Sequence, residues 1–197
     1  MRTLRNPLLI LFLATALLSG CGINNIPTYD EGVKAAWSEV QNQYKRRADL
    51  VPNLIETVKG FAAQEKDVLN QVVEARAKAT QTNMSPEILS NPDAFAEFQE
   101  NQAALGGALG RLLAVVEAYP DLKSNENFLA LQSQLEGTEN RIAVARGDYI
   151  KAVQRYNTEL RTIPGRWWHG LMYSDMQPAE TFSVSEADTA NPQVNFN

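Results

Sequence analysis

The sequence contains only one cysteine, Cys21, and one histidine, His169, among its 197 residues. A single cysteine cannot form an internal disulfide bond, and these two side chains cannot complete a zinc site that needs several ligands of their kind. A di-metal carboxylate site in a helical bundle usually needs paired Glu-x-x-His motifs, which one histidine cannot supply. The composition therefore predicts a protein without a metal centre, and no cofactor is expected.

The sequence offers no comfortable membrane span at its N-terminal apolar segment. Residues 8–18, LLILFLATALL, number 11. As a helix this segment would extend about 16 Å, against roughly 30 Å of bilayer hydrocarbon. Arg2 and Arg5 precede it and are the only charged residues before Cys21. A basic region followed by a short apolar segment is typical of a secretory signal.

The tetrapeptide LSGC, which ends at Cys21, resembles the lipobox of bacterial lipoproteins. In that motif the cysteine thiolate is the group that receives the lipid. We therefore predict cleavage after Gly20 and lipidation of Cys21, ahead of a short uncleaved anchor or an ordinary cleaved signal. Gly22 provides no aspartate-type retention signal, so in an organism with two membranes the periplasmic face of the outer membrane is expected.

Basic residues are fewer than acidic ones, 18 against 23, and the formal net charge is −5. Removal of residues 1–20 takes away two arginines and no acid, which makes the remaining chain more acidic still. An acidic chain is a poor match for nucleic acid or for an anionic bilayer surface, so no nucleic-acid partner is predicted. Membrane attachment would therefore depend on the acyl chains.

Apolar residues recur at alternating spacings of three and four, which is typical of helices packed along a shared seam. The first predicted helix covers residues 30–80 and is kinked, not ended, at Pro52, because the register crosses this proline without a shift. An Asn-Pro pair at residues 91–92 starts a second helix that ends near Tyr119, and a third runs to residue 163. We predict an all-α fold, an antiparallel up-down-up bundle of three long helices with a short C-terminal helix or extended tail.

These elements divide the chain into four segments. They are a signal peptide over residues 1–20, a flexible tether over 21–29, the helical bundle over 30–175 and an irregular tail over 176–197. About 175 residues after the signal are enough for one domain with a hydrophobic core.

Three stretches carry a family resemblance: YKRRADLVPNLIETVKGFAAQE, EAYPDLKSNENFLALQSQLEGTENRIAVAR and the closing NPQVNF. Together they resemble the LemA family over most of residues 30–196. The resemblance implies a bacterial, membrane-attached helical bundle whose biochemical activity is not established. The chain departs from the family pattern in its lipobox, where a transmembrane helix is common. It also has Gln64 where a histidine is frequent, and Tyr149-Ile150 where Tyr-Asn is usual.

Two charged residues, Arg47 and Glu65, interrupt the apolar seam of the first predicted helix. A buried charge without a partner costs several kcal/mol, so Arg47 needs one. Glu139, next to the third-helix seam residue Thr138, is the predicted partner. A structural ion pair, or an arginine whose head reaches solvent, is favoured over a ligand contact.

The glycine-rich stretch LGGALG, residues 105–110, has no lysine and follows no strand, which argues against a phosphate-binding loop. We interpret Gly106 and Gly110 as small residues that let a neighbouring helix come close.

No side-chain set predicts catalysis. A lipidated Cys21 cannot act as a nucleophile, and no serine stands in an elbow-like motif that His169 could serve. We therefore predict that the protein is not an enzyme. It would be a non-catalytic, lipid-anchored scaffold or adaptor of the cell envelope whose partner is another protein or further copies of the chain. The alternative is a small-molecule or peptide-binding module, which needs a concave apolar pocket with convergent polar groups.

Trp167 and Trp168 follow the third predicted helix and form a candidate partner surface. Adjacent tryptophans can anchor a protein at a membrane interface. With three helices, however, the third ends at the membrane-distal tip of the bundle. There we expect the two rings to cover the open end of the core, ahead of a partner-facing patch to which Phe182 and Phe196 would contribute.

Overall fold

The computed structural model describes residues 22–81 and 85–182, and helices dominate both stretches. Their bounds are α1 Asn25–Lys59, α2 Lys66–Gln81, a 3-10 turn Pro86–Ser90, α3 Pro92–Val116, α4 Pro120–Lys123, α5 Glu126–Arg161 and α6 Gly165–Met172. Within these two stretches there is no strand, and the predicted all-α class is confirmed. The predicted signal peptide, its cleavage after Gly20 and the lipidation of Cys21 concern residues outside the described part of the chain.

Two helix starts follow the local signals in the sequence. The Asn91 side chain accepts a hydrogen bond from the Ala94 N–H at 3.1 Å, ahead of Pro92 at the first position of α3. The Asn125 side chain accepts one from the Phe128 N–H at 3.1 Å and caps α5. An Asn cap satisfies an amide that has no partner inside the helix, so these starts are fixed locally.

The first predicted helix is two helices, which corrects the prediction of one helix over residues 30–80. The Arg76 Nε donates to the Ala48 carbonyl at 2.9 Å although 28 residues separate them. In a continuous helix the two would lie about 42 Å apart, so the chain reverses direction between α1 and α2. The reversal follows Gly60, where the lack of a side chain weakens the helix. Phe61 follows the apolar spacing of the first predicted helix, yet it is 42% exposed.

Pro52 does not end α1, which continues through it to Lys59. The register that crosses this proline in the sequence therefore belongs to one helix. The change of direction comes later, at Gly60 and the turn that leads to α2.

The long helices of the described chain alternate in direction as an up-down-up-down bundle. α3 runs parallel to α1, because Trp37 meets Phe98 at 5.1 Å between ring centroids while Gln64 donates to the Tyr119 hydroxyl at 2.9 Å. α5 packs along α1 in the opposite direction, from Glu139 beside Arg47 to Glu159 beside Asn25. The predicted three-helix, up-down-up arrangement is wrong, because splitting the first helix adds one reversal.

The start of α1 is helical where a flexible tether over residues 21–29 was expected. α1 begins at Asn25, and the Ile26 side chain is fully buried. The guanidinium carbon of Arg155 in α5 lies 5.4 Å from the Tyr29 ring centroid, within the limit of about 6 Å for a cation–π contact. Apolar and aromatic contacts with α5 therefore extend the helix toward Gly22.

The first part of the predicted tail folds back onto the bundle. The Tyr149 hydroxyl donates to the Glu180 carbonyl at 2.6 Å, and Asn157 exchanges two hydrogen bonds with the Ala179 backbone. Phe182 is buried against the Trp37 and Phe95 rings. This segment has no regular structure, as expected, yet it closes one side of the core.

None of the helices within residues 22–81 and 85–182 combines the length and the apolar character needed to cross a membrane.

Candidate functional site

Arg47 of α1 is the most deeply buried charged group singled out in the sequence, with 4% of the residue exposed. Its Nη1 donates to the Glu139 Oε1 of α5 at 3.1 Å. Its Nη2 donates to both the side-chain and the backbone oxygen of Gln102 in α3, at 2.8 and 2.9 Å. Within the described chain the Nε has no hydrogen-bond partner. Arg47 therefore joins three helices at one level of the bundle.

Gln102 is a partner of Arg47 that was not predicted from the sequence. Its side-chain amide also donates to the Ala79 carbonyl at the end of α2, so the Arg47 site reaches the fourth long helix as well. The signal was present in the sequence, because Gln102 is the one polar residue on the apolar seam of α3. Arg47 and Gln102 are polar residues on the apolar seams of two different helices, and they contact each other.

A cavity of about 490 Å³ opens beside Arg47 between α3 and α5. Its floor is formed by Tyr44 and Arg47, and Arg146 lies on its wall with the guanidinium carbon 4.4 Å from the Phe182 ring centroid. Burial raises the pKa of the Tyr44 phenol, although the charges of Arg146 and Arg47 act in the opposite direction. The lining combines two arginines and two glutamates with apolar and amide groups, so groups of both charge signs face the cavity, and Arg47 is already paired with Glu139. Its remaining lining residues are Ala96, Gln99, Glu100, Gln102, Ala103, Gly106, Glu139 and Ile142.

The LGGALG stretch lies inside α3, as predicted, but its glycines do not accommodate a neighbouring helix of this chain. A Cβ on Gly106 would meet the Arg47 Nη1 at 3.7 Å, which is ordinary van der Waals contact. A Cβ on Gly110 would meet nothing within 4 Å. The interpretation as close-approach positions is therefore wrong, because the groove between α3 and α5 is open here.

Glu65 lies in the turn between α1 and α2 and not on a packed seam. It accepts a hydrogen bond from the Tyr119 hydroxyl at 2.6 Å, and Gln64 donates to the same hydroxyl. The bond to the Glu65 carboxylate raises the pKa of the Tyr119 phenol. These three side chains tie the turn to the segment that follows α3, at the end of the bundle opposite Gly22.

The two tryptophans of α6 have different surroundings. Trp167 is 64% exposed, whereas Trp168 is half-buried and packs against the aromatic core. A Cβ on Gly22 would lie 3.3 Å from the Pro164 side chain, so α6 lies at the end of the bundle where α1 begins. The predicted position at the end of the bundle opposite the start of the first helix is wrong, since four alternating helices return the chain to its starting end. Phe182 is part of the core, and Phe196 lies outside the described residues.

Within residues 22–81 and 85–182, no group of three His, Cys, Asp or Glu side chains is placed so that it could hold a metal ion. The ring Nε2 of His169 lies 2.9 Å from the Met176 carbonyl, so this nitrogen is engaged by the backbone.

A double-mutant cycle should detect the ion pair between Arg47 and Glu139. We expect a coupling of about 1 kcal/mol between Arg47→Met and Glu139→Ala, because the bond is charge-assisted and the Glu139 side chain is 46% exposed. Glu136→Ala on the same helix is the matched control, since Glu136 bonds to Gln132 instead. Urea denaturation of the four proteins measures the coupling, and a value indistinguishable from the Glu136 cycle would contradict the pairing.

Comparison with known proteins gives two kinds of match. The model of the LemA family matches residues 36–196. Magnetosome protein MamQ 2 and magnetosome protein MamQ 1 of Paramagnetospirillum magneticum are each 27% identical over 194 residues, which cover 90% of this chain and 70% of each relative. Magnetosome protein MamQ of Magnetospirillum gryphiswaldense is 25% identical over 205 residues, which cover 94% of this chain and 74% of the relative.

Proposed function

Because the chain belongs to the LemA family, we propose that it is a non-catalytic scaffold or adaptor of the bacterial cell envelope, attached to a membrane through a lipid on Cys21. One observation carries the proposal. Gly22, the residue after Cys21, packs at one end of a bundle whose first helix, α1, has 35 residues. A helix of that length extends about 52 Å, so a lipid on Cys21 would hold the bundle by one end and present its other end away from the membrane.

The arrangement of the charged groups supports a structural role for the bundle. Arg47 is engaged by Glu139 and Gln102, and the network joins all four long helices. The cavity beside it offers hydrogen-bond donors, but no nucleophile and base are paired there. An end-attached bundle with a reinforced core fits a protein that holds another protein, or further copies of itself, at a fixed distance from the bilayer. Its acidic net charge of −5 speaks against nucleic acid as the partner.

Replacement of the lipid acceptor tests the attachment. Cys21→Ser removes the thiol that would be acylated, so we expect an unlipidated precursor that keeps residues 1–20. Intact-protein mass spectrometry of the wild type should show a chain that begins at Cys21 and carries acyl mass. Ser19→Ala keeps a small residue in the lipobox and should be processed normally. A mature wild-type chain without acyl mass would rule out this mode of attachment.

Membrane fractionation tests which membrane holds the protein. In an organism with two membranes, the wild-type chain should be recovered with the outer membrane, and the Cys21→Ser precursor should not. Recovery of the wild type in the inner membrane alone would contradict the proposed location.

Affinity purification from solubilised membranes tests the adaptor role. The wild-type chain should retain a partner in fixed proportion, or form a defined oligomer, while Cys21→Ser loses it because the precursor is not delivered to the same surface. A wild-type chain that is monomeric and partner-free after cross-linking in intact cells would overturn the adaptor proposal.

A small-molecule or peptide-binding module is the second candidate, and the cavity beside Arg47 favours it. Arg146 could bind a carboxylate there while Phe182 and Ile142 contact an apolar part of the ligand. Calorimetric titration with short peptides that end in a free carboxylate tests this candidate. Binding should be lost in Arg146→Gln and kept in Arg141→Gln, whose side chain lies outside this cavity. Equal binding by both variants, or none by the wild type, would exclude the cavity as the site.

A further inference from the structure

We propose that the end of the bundle formed by α6 lies on the bilayer surface, with an exposed apolar patch inserted among the lipid headgroups. The patch, called the α6 patch, consists of Ile163, Trp167, Leu171 and Met172. The proposal deepens the attachment proposed above, because it assigns a second membrane contact beside Cys21.

The four side chains of the α6 patch are apolar, yet more than half of each residue's surface is exposed. Ile163 is 65% exposed, Trp167 64%, Leu171 77% and Met172 54%. Trp167 and Leu171 are four residues apart in α6 and share one face of the helix. Clustered apolar side chains on the surface of a soluble protein mark an interaction site more often than single exposed ones do.

The patch is presented by a helix whose other face is firmly held. Gly165, at the start of α6, packs so closely against α5 that a Cβ there would lie 2.2 Å from the Glu159 carbonyl oxygen. Trp168 packs against the aromatic core, and the His169 ring bonds to the Met176 backbone. The orientation of Trp167 and Leu171 toward the outside is therefore set by the fold.

The position of the patch identifies a bilayer as its occupant. Gly22 lies beside Pro164, since a Cβ on it would be 3.3 Å from the Pro164 side chain, and only three residues separate Gly22 from the apolar segment 8–18. Whether that segment or an acyl chain on Cys21 enters the membrane, the bilayer lies at this end of the bundle. Tryptophan and leucine on a short helix are typical of side chains that insert at the membrane interface.

The charge of α6 and of the turn that precedes it fits a lipid surface better than the charge of the whole chain does. No acidic residue occurs between Glu159 and Asp175, while Arg161 and Arg166 are both exposed. The net charge of −5 is thus carried elsewhere along the chain. Arginines beside an apolar patch suit the phosphate groups of anionic lipids.

A fluorophore attached at single positions tests the proposal on the full-length chain, purified from membranes and reconstituted into vesicles of phosphatidylethanolamine and phosphatidylglycerol. Cys21 is the only native cysteine, so an acylated chain with Leu171→Cys has one reactive thiol. Phe61→Cys is the matched control, because Phe61 is exposed and apolar but lies at the opposite end. Brominated acyl chains should quench the fluorophore at position 171 several-fold more strongly than at position 61, and aqueous iodide should show the reverse order.

Two results would overturn the proposal. Equal quenching by iodide at both positions would show that the patch faces water. A fluorophore at position 171 that neither quencher reaches would show that protein, such as a second copy of the chain, covers the patch. Trp167→Phe gives an independent measurement without cysteine substitution, since it should remove most of the tryptophan emission that brominated lipid quenches in the wild type. An unchanged quenchable fraction would count against insertion.

The same samples separate this inference from the proposed lipidation. If Cys21 of the wild type reacts with the fluorophore, its thiol is free and lipidation fails, while lipid quenching of Trp167 would still support insertion of the patch. If Cys21 is acylated and Trp167 is not quenched, the attachment stands and only the second contact is refuted.

Discussion

Trp37→Ala should lower the free energy of unfolding by about 3–5 kcal/mol, the range for removing a large aromatic side chain from a packed core. Trp37 is 1% exposed and lies at the centre of the aromatic cluster. Its ring centroid is 5.1 Å from Phe98, 5.4 Å from Tyr149, 5.8 Å from Phe95 and 6.4 Å from Phe182. These rings come from α1, α3, α5 and the segment after α6. The substitution therefore leaves a cavity that no single helix can close by moving.

Trp167→Ala is the matched control for this prediction. It removes the same side chain from a position that is 64% exposed, so the free energy of unfolding should change by no more than about 0.5 kcal/mol. Urea denaturation followed by far-ultraviolet circular dichroism measures both variants. Similar losses in the two proteins would show that the aromatic cluster does not carry the stability assigned to it.

Gly165→Ala should detach α6 from the end of α5 and cost roughly 1–3 kcal/mol, the range for forcing extra atoms into a packed site. A Cβ at this position would lie 2.2 Å from the backbone oxygen of Glu159 and 2.9 Å from its Cγ. A backbone oxygen at the end of a long helix cannot turn aside as a side chain can. We expect faster proteolytic cleavage at Arg166 as well as the loss of stability.

Gly170→Ala provides the control within the same helix. A Cβ there would meet nothing within 4 Å, and alanine favours helix over glycine by up to about 1 kcal/mol. The stability of this variant should therefore be unchanged or slightly raised, with cleavage at Arg166 unchanged or slower. If Gly165→Ala behaved like Gly170→Ala in both assays, the tight contact between α5 and α6 would be refuted.

The sequence predicted the features of this fold that depend on neighbouring residues. The cap at Asn91 acts within one turn of helix, and the apolar spacing indicates directly which face of each helix is buried. The reversal between α1 and α2 could not be read in the same way, because Phe61 and Val68 continue the seam spacing across the turn. Gly60 was the local sign of a helix end, and its effect becomes visible only when the long-range contact between Arg76 and Ala48 is known.

That one reversal also decided how much of the candidate sites could be predicted. Arg47 and Glu139 could be predicted as partners because Arg47 lies on the apolar seam of α1 and Glu139 is next to the seam of α5. The two residues lie at the same height along the bundle. The hydrogen bonds of Gln102 to Arg47 and to Ala79 depend on α2 lying antiparallel to α1 and were therefore missed. The exposure of Trp167 likewise depends on how α6 packs against α5, which no local pattern encodes.

The packing of α1 along α5 has a consequence for the order in which the chain folds. The contact between Asn25 and Glu159 closes a loop of 134 residues, and the two longest helices depend on it to cover their apolar faces. Contacts between residues that are close in the chain form first, so the hairpin of α2 and α3 can assemble while α1 still waits for α5. During synthesis, the part of the α1 apolar seam that α5 covers would therefore stay exposed until nearly the whole chain has been made. Apolar surface that stays exposed during folding is prone to aggregation, so this part of α1 is where aggregation of the incomplete chain would begin.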